Sequence, residues 1–455
     1  MASKLPLFSP LRMNAVRAFS AQAAPKAKAS RPEALPKQDV VTTKLPNGLV
    51  VTSLENYSPV ARIAIVAKGG SRYEDGSNLG ITHAVRNAVG LTTENSTTFG
   101  ITKNMEHIGA SLTASTTRDH LVYVVECNRD DAAKALKYVT DVAFFPAFKH
   151  WEVDDTADHV KKDLAIFKRN QEAVLMEALH QAAFRGGLAN SLFLQDFLVG
   201  KHNHKKLAEY VKNHVTAPRS VISCVGLEND RLVHVLKNMK LSDTPGAEVT
   251  PSKFVPGEVR LEFNSNYTTV ALAVEGASMA NQKEWLASAV LQQLLGSGPR
   301  VKYSQGESAK LGQAAAKVAT QPFAVQALNV NYSDTGLFGV VVAGHHNEID
   351  KLTKAVLSQV TSATKSISDQ DVQNAKQKLK FALLHSRDHL TELALDMAVE
   401  TSVLGRPFTS AELESAIDSV TTQDVAAVAA KVSKGKPAVA AVGRLHKTPH
   451  LDELL

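Results

Sequence analysis

Three residues in one short segment have the spacing of a metal-binding helix. His83 and Asn87 lie four positions apart in residues 80–87 (GITHAVRN), and Arg86 stands between them. In an α-helix, positions i, i+3 and i+4 share one face. Histidines at i and i+4 would hold zinc there, and a glutamate at i+3 would deprotonate a metal-bound water. Only His83 meets these needs, because Arg86 brings a fixed positive charge and Asn87 a neutral amide. We therefore expect no catalytic residue here, and we expect His83 to be a partly buried histidine bonded to a neighbour.

The sequence around this segment has the pattern of strands followed by helices. Residues 75–78 (DGSN) would cap a helix at 80–89, and the turn Pro46-Asn47-Gly48 would close a hairpin. The other predicted elements are strands at 40–43, 49–54, 61–68, 111–116, 120–127 and 220–225, a helix at 130–144, and amphipathic helical stretches at 152–185 and 207–214. This order is typical of an α+β sandwich rather than of a parallel βαβ sheet.

The second half of the chain repeats this order. Residues 121–125 (LVYVV) match 337–341 (LFGVV) at an offset of 216, and the helices that follow also match. Near the ends of the two halves, 221–226 matches 439–443. Two copies of one domain of about 210 residues explain the pattern.

A linker between the two copies is expected at 243–256. This stretch is polar and rich in proline and glycine, which favours a loop. The predicted domains are therefore 38–245 and 257–455.

The metal-helix spacing and the segment 99–114 after it resemble the pitrilysin and processing-peptidase family (M16) of zinc peptidases. The resemblance spans essentially the whole chain. It implies two homologous α+β domains, each a mostly antiparallel sheet covered by helices, which form a clam shell around a cleft. The family's third zinc ligand, a glutamate, corresponds here to Asp163. The resemblance thus makes His83, Arg86, Asn87 and Asp163 a degenerate metal site that holds no metal.

Within this family, residues 177–192 and 294–302 resemble the noncatalytic core subunits of mitochondrial ubiquinol:cytochrome c reductase (complex III). This resemblance implies a scaffold subunit without a cofactor, needed for assembly and stability, and peripheral on the matrix side of the inner membrane. The implied partners are core subunit 1 and other complex III subunits, including membrane-embedded ones, with a bound leader peptide as a further possibility and no nucleic acid.

Two other functions remain as alternatives. One is the noncatalytic, substrate-binding subunit of the mitochondrial processing peptidase, although the short loop 296–299 does not match the long glycine-rich loop of that subunit well. The other is a soluble matrix metallopeptidase, which Arg86 and Asn87 oppose.

The charge distribution points to a mitochondrial transit peptide. Residues 1–32 contain six Lys and Arg and no Asp or Glu, whereas the rest of the chain contains 45 of each sign. A basic, Ser- and Ala-rich leader with apolar residues at helical spacing is typical of import into mitochondria. Arg17 predicts cleavage near 19/20. The balanced remainder gives no support to nucleic-acid binding.

The remaining candidate residues are expected to be structural. Cys127 and Cys224 lie in strand-like apolar segments and should be buried free thiols. The pairs His202/His204 and His345/His346 lie in polar contexts that predict solvated turns rather than metal ligands. The sequence has no apolar run of 18 residues, so we expect membrane association only through a partner.

Overall fold

The computed structural model describes residues 39–246, 250–298 and 309–454. The predicted transit peptide and its cleavage site near 19/20 lie outside these described residues.

Strands are distributed over both halves of the chain. Those of the described residues are β1 (Val40–Lys44), β2 (Val50–Leu54), β3 (Val60–Ala67), β4 (Ser111–Thr116), β5 (Leu121–Asn128), β6 (Phe184–Arg185), β7 (Ser220–Val225), β8 (Lys253–Phe254), β9 (Glu258–Glu262), β10 (Tyr267–Gly276), β11 (Ala324–Asn331), β12 (Gly336–His345) and β13 (Ala438–Gly443).

Helices fill the segments between the strands. Those of the described residues are α1 (Ile81–Asn87), α2 (Thr98–His107), α3 (Ala132–Phe144), α4 (His150–Asp155), α5 (Ala157–Arg169), α6 (Gln171–Ala183), α7 (His204–His214), α8 (Asn229–Lys237), α9 (Gln282–Leu295), α10 (Lys310–Ala316), α11 (Ile349–Lys365), α12 (Asp369–Arg387), α13 (Leu390–Leu404), α14 (Ser410–Ser419), α15 (Thr422–Lys434) and α16 (Leu451–Leu454). Short 3₁₀ turns lie at Ser71–Tyr73, Arg129–Asp131, Gly187–Ala189, Asp196–Leu198 and Ala217–Arg219.

The two large sheets share one topology. The first has the order β1-β2-β7-β3-β5-β4, and the second has the order β11-β12-β10-β13-β9. Read from its other edge, the second sheet matches β2-β7-β3-β5-β4 strand by strand. The predicted internal repeat and the α+β class are therefore confirmed. Most strand pairs are antiparallel, but each sheet contains one parallel pair, β2–β7 and β13–β9.

The predicted helical stretch 152–185 is divided into three helices, α4, α5 and α6, and its last two residues form strand β6. A break falls at Thr156, whose hydroxyl donates to the carbonyl of Val153 at 2.7 Å. A second break falls at Asn170, which has an extended backbone and accepts the Ala173 N–H at 3.1 Å. This side chain caps α6, because Asn satisfies a free N–H group at a helix start.

Each sheet is covered on one face by helices of its own half and on the other by a helix of the opposite half. Helix α6 of the first half packs against the second sheet, where Leu175 and Leu179 are fully buried. Helix α13 of the second half packs against the first sheet through Ala394, Met397 and Ala398. This exchange explains why the central strands are apolar on both faces. It was not predicted from the sequence.

Candidate functional site

The candidate site lies on α1, a helix of seven residues next to the first sheet. Gly80 precedes the helix with φ +78°, a conformation that favours glycine. A Cβ at this position would also lie 2.3 Å from Leu194 Cδ1. The close approach brings the segment around Leu194 directly against the helix, where it helps to bury His83.

The structure brings together three of the four predicted positions. His83 is fully buried, and its Nε2 lies 2.9 Å from Asp163 Oδ2. Arg86 Nη2 donates to the same carboxylate oxygen, so Asp163, on α5, joins both side chains. Asn87 does not join the group, because its Nδ2 donates to the backbone oxygen of His83 at 2.9 Å. The expectation that His83 bonds a neighbour is confirmed, but the side chain is fully rather than partly buried.

The hydrogen bonds fix which nitrogen of His83 carries the proton. The Leu194 N–H donates to Nδ1 at 3.3 Å, so Nδ1 offers a lone pair. In a neutral imidazole the other nitrogen is then protonated, so Nε2 donates to Asp163. Both ring nitrogens are therefore already in use.

The electrostatics of the site favour a neutral imidazole beside an ionised carboxylate. Burial lowers the pKa of His83, and the positive charge of Arg86 lowers it further, against the opposing effect of Asp163. Burial alone would raise the pKa of Asp163. The hydrogen bond from His83 and the charge of Arg86 outweigh burial and hold that pKa below its usual value.

These side chains do not fit a zinc ion. A zinc ligand must offer a free lone pair, and Nε2 of His83 carries a proton. The guanidinium of Arg86 lies against the carboxylate oxygen that would face the metal. Within the described part of the chain, no group of three or more His, Cys, Asp or Glu side chains is arranged to hold a metal ion.

Glu74 supports α1 and was missed by the sequence analysis. Its carboxylate accepts the N–H groups of Gly80 at 2.7 Å and Thr82 at 2.9 Å, and the Thr82 hydroxyl at 2.6 Å. The predicted cap at 75–78 is therefore wrong, because Asp75 bonds Ser77 instead. Burial raises the pKa of Glu74 to about 7. No local pattern identifies a cap seven residues before a helix.

A cavity of about 490 Å³ opens beside α1. Phe167 and Phe193 stack at 4.0 Å between ring centroids on its wall, and Leu261 of the second half also lines it. Glu177 reaches the cavity while it accepts from Arg118 Nη2 at 2.9 Å. The cavity thus combines apolar walls with a paired carboxylate, and both halves contribute to it.

The other candidate residues are structural, with one correction. His202 is buried rather than solvated, and its Nε2 donates to the Leu79 carbonyl at 2.9 Å. His346 Nδ1 likewise donates to the Asn266 carbonyl at 3.0 Å, but near the surface. Cys127 and Cys224 are buried free thiols, as predicted. Burial raises the pKa of Cys127 to about 11, so it stays a thiol at neutral pH.

Comparison with known families agrees with the fold and with the helix at the site. Residues 49–196 match the family model described as Insulinase (Peptidase family M16), and residues 201–379 match the model described as Peptidase M16 inactive domain. The chain belongs to peptidase family M16.

Individual relatives narrow the comparison. The chain is 38% identical to the human (Homo sapiens) protein named cytochrome b-c1 complex subunit 2, mitochondrial, over 443 residues, which cover 96% of this chain and 98% of that protein. The mouse (Mus musculus) protein of that name is 36% identical with the same coverage. The chain is also 28% identical to mitochondrial-processing peptidase subunit alpha of Solanum tuberosum, over 92% of this chain and 84% of that protein.

Proposed function

We propose that this chain is a noncatalytic core scaffold subunit of the mitochondrial cytochrome b-c1 complex, the ubiquinol:cytochrome c reductase. The observation that carries the proposal is the 38% identity to a subunit of that complex over nearly the full length of both proteins. Similarity over both repeats and the linker between them supports a shared role for the whole chain.

The site on α1 supports a role without peptide hydrolysis. We propose that His83, Arg86, Asn87 and Asp163 occupy the positions of the family's metal ligands and base and hold no zinc. Position 86, which should carry the general base, carries a cation that neutralises Asp163. Hydrolysis by a metal-bound water needs three ligands, an open coordination position and a base. The hydrogen-bonded group instead ties α1 to α5, which is a structural role.

The location and partners follow from the same proposal. The relatives are named as mitochondrial. We place the chain on the matrix side of the inner membrane, in contact with core subunit 1 and with membrane-embedded subunits. In the described ranges, no helix combines the length and apolarity needed to cross a bilayer. The cavity beside α1 is a candidate place for a leader peptide, since its apolar walls suit the apolar face of an amphipathic segment.

The domain boundaries are also a proposal, at 38–245 and 257–455. The first large sheet ends at Val225, and the second begins at Glu258. The exchanged helices α6 and α13 mean that each domain needs the other to cover its sheet.

The alternative is the noncatalytic, substrate-binding subunit of the mitochondrial processing peptidase. The similarity to a subunit of that enzyme supports it, at 28% identity. The lower identity and the shorter coverage of the relative make this function the second choice.

The test is an affinity purification of the tagged chain from detergent-solubilised mitochondria, with untagged mitochondria as the control. Mass spectrometry identifies the co-purifying subunits, and metal analysis of the same sample measures zinc. Recovery of haem-bearing and iron–sulfur subunits without stoichiometric zinc on this chain supports the scaffold role. Recovery of a single soluble peptidase partner would support the alternative, and tightly held zinc would contradict the metal-free site.

A further inference from the structure

Two equivalent turns, one from each repeat, meet in the described structure. The β4–β5 connection runs over 117–120 and is closed by the Thr117 N–H bonded to the His120 carbonyl at 2.8 Å. The β11–β12 connection runs over 332–335 and is closed in the same way, by Tyr332 and Thr335, also at 2.8 Å. Each turn therefore presents its third residue, an aspartate, in the same geometry.

One arginine binds both aspartates. Arg72 Nη1 donates to Asp119 Oδ1 at 2.5 Å, within the first half. Its Nη1 and Nη2 donate to Asp334 Oδ1 at 3.1 Å and Oδ2 at 2.7 Å, in the second half. The turns also touch directly, because the Ser333 N–H donates to Asp119 Oδ2 at 3.1 Å.

The backbone holds Arg72 firmly on the first-half turn. The Arg72 N–H donates to the Arg118 carbonyl at 3.0 Å. Gly70 lies so close to this turn that a Cβ would stand 2.3 Å from the Thr117 carbonyl oxygen. The backbone of Arg72 is bonded within the first half, and its guanidinium contacts the second half. The first half therefore sets the position of Arg72.

Two of the three side chains are buried. The Arg72 side chain is 2% exposed and that of Asp119 is 9% exposed, whereas that of Asp334 is 28% exposed. A shift of one half relative to the other would break both bonds from Arg72 to Asp334 and leave the buried guanidinium paired with Asp119 alone.

The apolar contacts between the halves do not require one particular geometry, as an ion pair does. Helices α6 and α13 pack on the sheets through alanine, leucine and methionine side chains, and hydrophobic contact is not directional. They add neutral hydrogen bonds, such as Gln171 Nε2 to the Val442 carbonyl at 2.8 Å and the contact of the Thr401 and Thr52 hydroxyls at 3.3 Å. The bidentate ion pair of Arg72 with Asp334 is stronger and more specific in geometry than these neutral bonds.

We propose that the Arg72–Asp119–Asp334 cluster is a lock that holds the two halves of the chain in a single alignment. The exchanged helices keep the halves together, and the lock selects one relative position. This inference goes beyond the proposed scaffold function and does not depend on it.

The test measures the distance between the halves in the purified full chain. Spin labels are attached at Lys134→Cys on α3 and Lys354→Cys on α11, both at exposed positions of the outer helices. The native cysteines are buried and should not react. Pulsed electron–electron double resonance then gives the distribution of distances between the two labels. The variants are Arg72→Met and, as a matched control, Arg129→Met, which removes an arginine that pairs with Glu55 inside the first half.

The wild type and Arg129→Met should give one narrow distribution, and Arg72→Met should give one at least about twice as wide. An unchanged distribution in Arg72→Met, with an unchanged circular dichroism spectrum, would overturn the lock. If Arg72→Met does not fold, Asp334→Asn carries the same test, since it removes only the second-half charge. A wild type with two distances would also overturn the proposal.

Discussion

Asp119 and Asp334 hold the same place in the two repeats and bind the same guanidinium. Each is the third residue of a four-residue turn closed by a 2.8 Å backbone hydrogen bond. Arg72 lies between them and donates to both carboxylates. The internal repeat thus brings two equivalent carboxylates together, and one arginine is shared between them.

Acid should weaken the second-half side of this cluster. Burial alone would raise the pKa of Asp334, but the hydrogen bonds and charge of Arg72 outweigh burial and hold it below the usual value. The carboxylate therefore stabilises the fold fully above the unfolded pKa of 3.8, and this stabilisation is lost as the pH falls through the lower folded value. We expect Asp334→Asn to lower the free energy of unfolding by about 2 kcal/mol at pH 7. Urea denaturation at a series of pH values measures the pH dependence of the wild-type stability and the loss caused by Asp334→Asn.

The same titration provides the control for this prediction. The difference between wild type and Asp334→Asn should shrink as the pH falls below 3.8, because the unfolded carboxylate is protonated there while the folded carboxylate takes up its proton only at a lower pH. Asp158→Asn, at an exposed ion pair on α5, should leave the stability nearly unchanged at every pH. A constant difference across the acid range would show that the loss does not come from the charge.

Much of the fold could be read from the sequence, because it depends on local pattern. The apolar pattern of residues 121–125 and its repeat at 337–341 predicted equivalent strands, and in the structure the two segments lie in β5 and β12. The degenerate helix was located from the spacing of His83, Arg86 and Asn87.

What the sequence could not supply depends on contacts between distant segments. Nothing local distinguishes α6, which covers the sheet of the opposite half, from a helix that covers its own. Glu74 caps a helix that starts seven residues later, and Arg72 finds Asp334 262 positions away. Both depend on tertiary approach, which propensity and periodicity do not encode.

Two substitutions should create a zinc site on α1. In Arg86→Glu/Asn87→His, a second imidazole joins His83 on one face and the competing guanidinium is gone. We expect about one zinc per chain in the variant and less than a tenth of that in the wild type. The site should bind zinc about 10–100-fold more weakly than native zinc sites do. Zinc at Nε2 of His83 would move the ring proton to Nδ1, and there the proton would face the Leu194 N–H, which is also a donor. Competition with a chelator, followed by metal analysis, measures the affinity.

The single variant Arg86→Gln is the control for the zinc experiment. It removes the cation without adding a ligand, so it should bind no zinc. Equal zinc in Arg86→Gln and in the double variant would place the metal elsewhere. Zinc in the wild type would contradict the tautomer assigned to His83.

Glu74 should give the protein an opposite dependence on pH. Its folded pKa is about 7, above the ordinary value of 4.5, so the folded state holds the proton more tightly than the unfolded chain between these values. The free energy of unfolding therefore falls as the pH rises through this window. Relative to Glu74→Gln, which does not titrate, the wild type should lose up to about 3 kcal/mol between pH 4.5 and 7. Parallel stability curves for the two proteins would contradict the assignment.

The exchange of helices predicts that the two halves unfold together. Leu179 is fully buried on α6, a first-half helix, but its cluster belongs to the second sheet. Leu179→Ala should lower the free energy of unfolding by about 2–5 kcal/mol, through lost transfer energy and the cavity left behind. Because the sheet loses its cover and α6 loses its support, one cooperative transition should shift as a whole in thermal denaturation. Ile166→Ala, at a side chain 70% exposed on α5, should change stability by less than about 0.5 kcal/mol. Two separate transitions, with only one shifted by Leu179→Ala, would mean that the halves are independent folding units and that the exchanged helices contribute little to their cohesion.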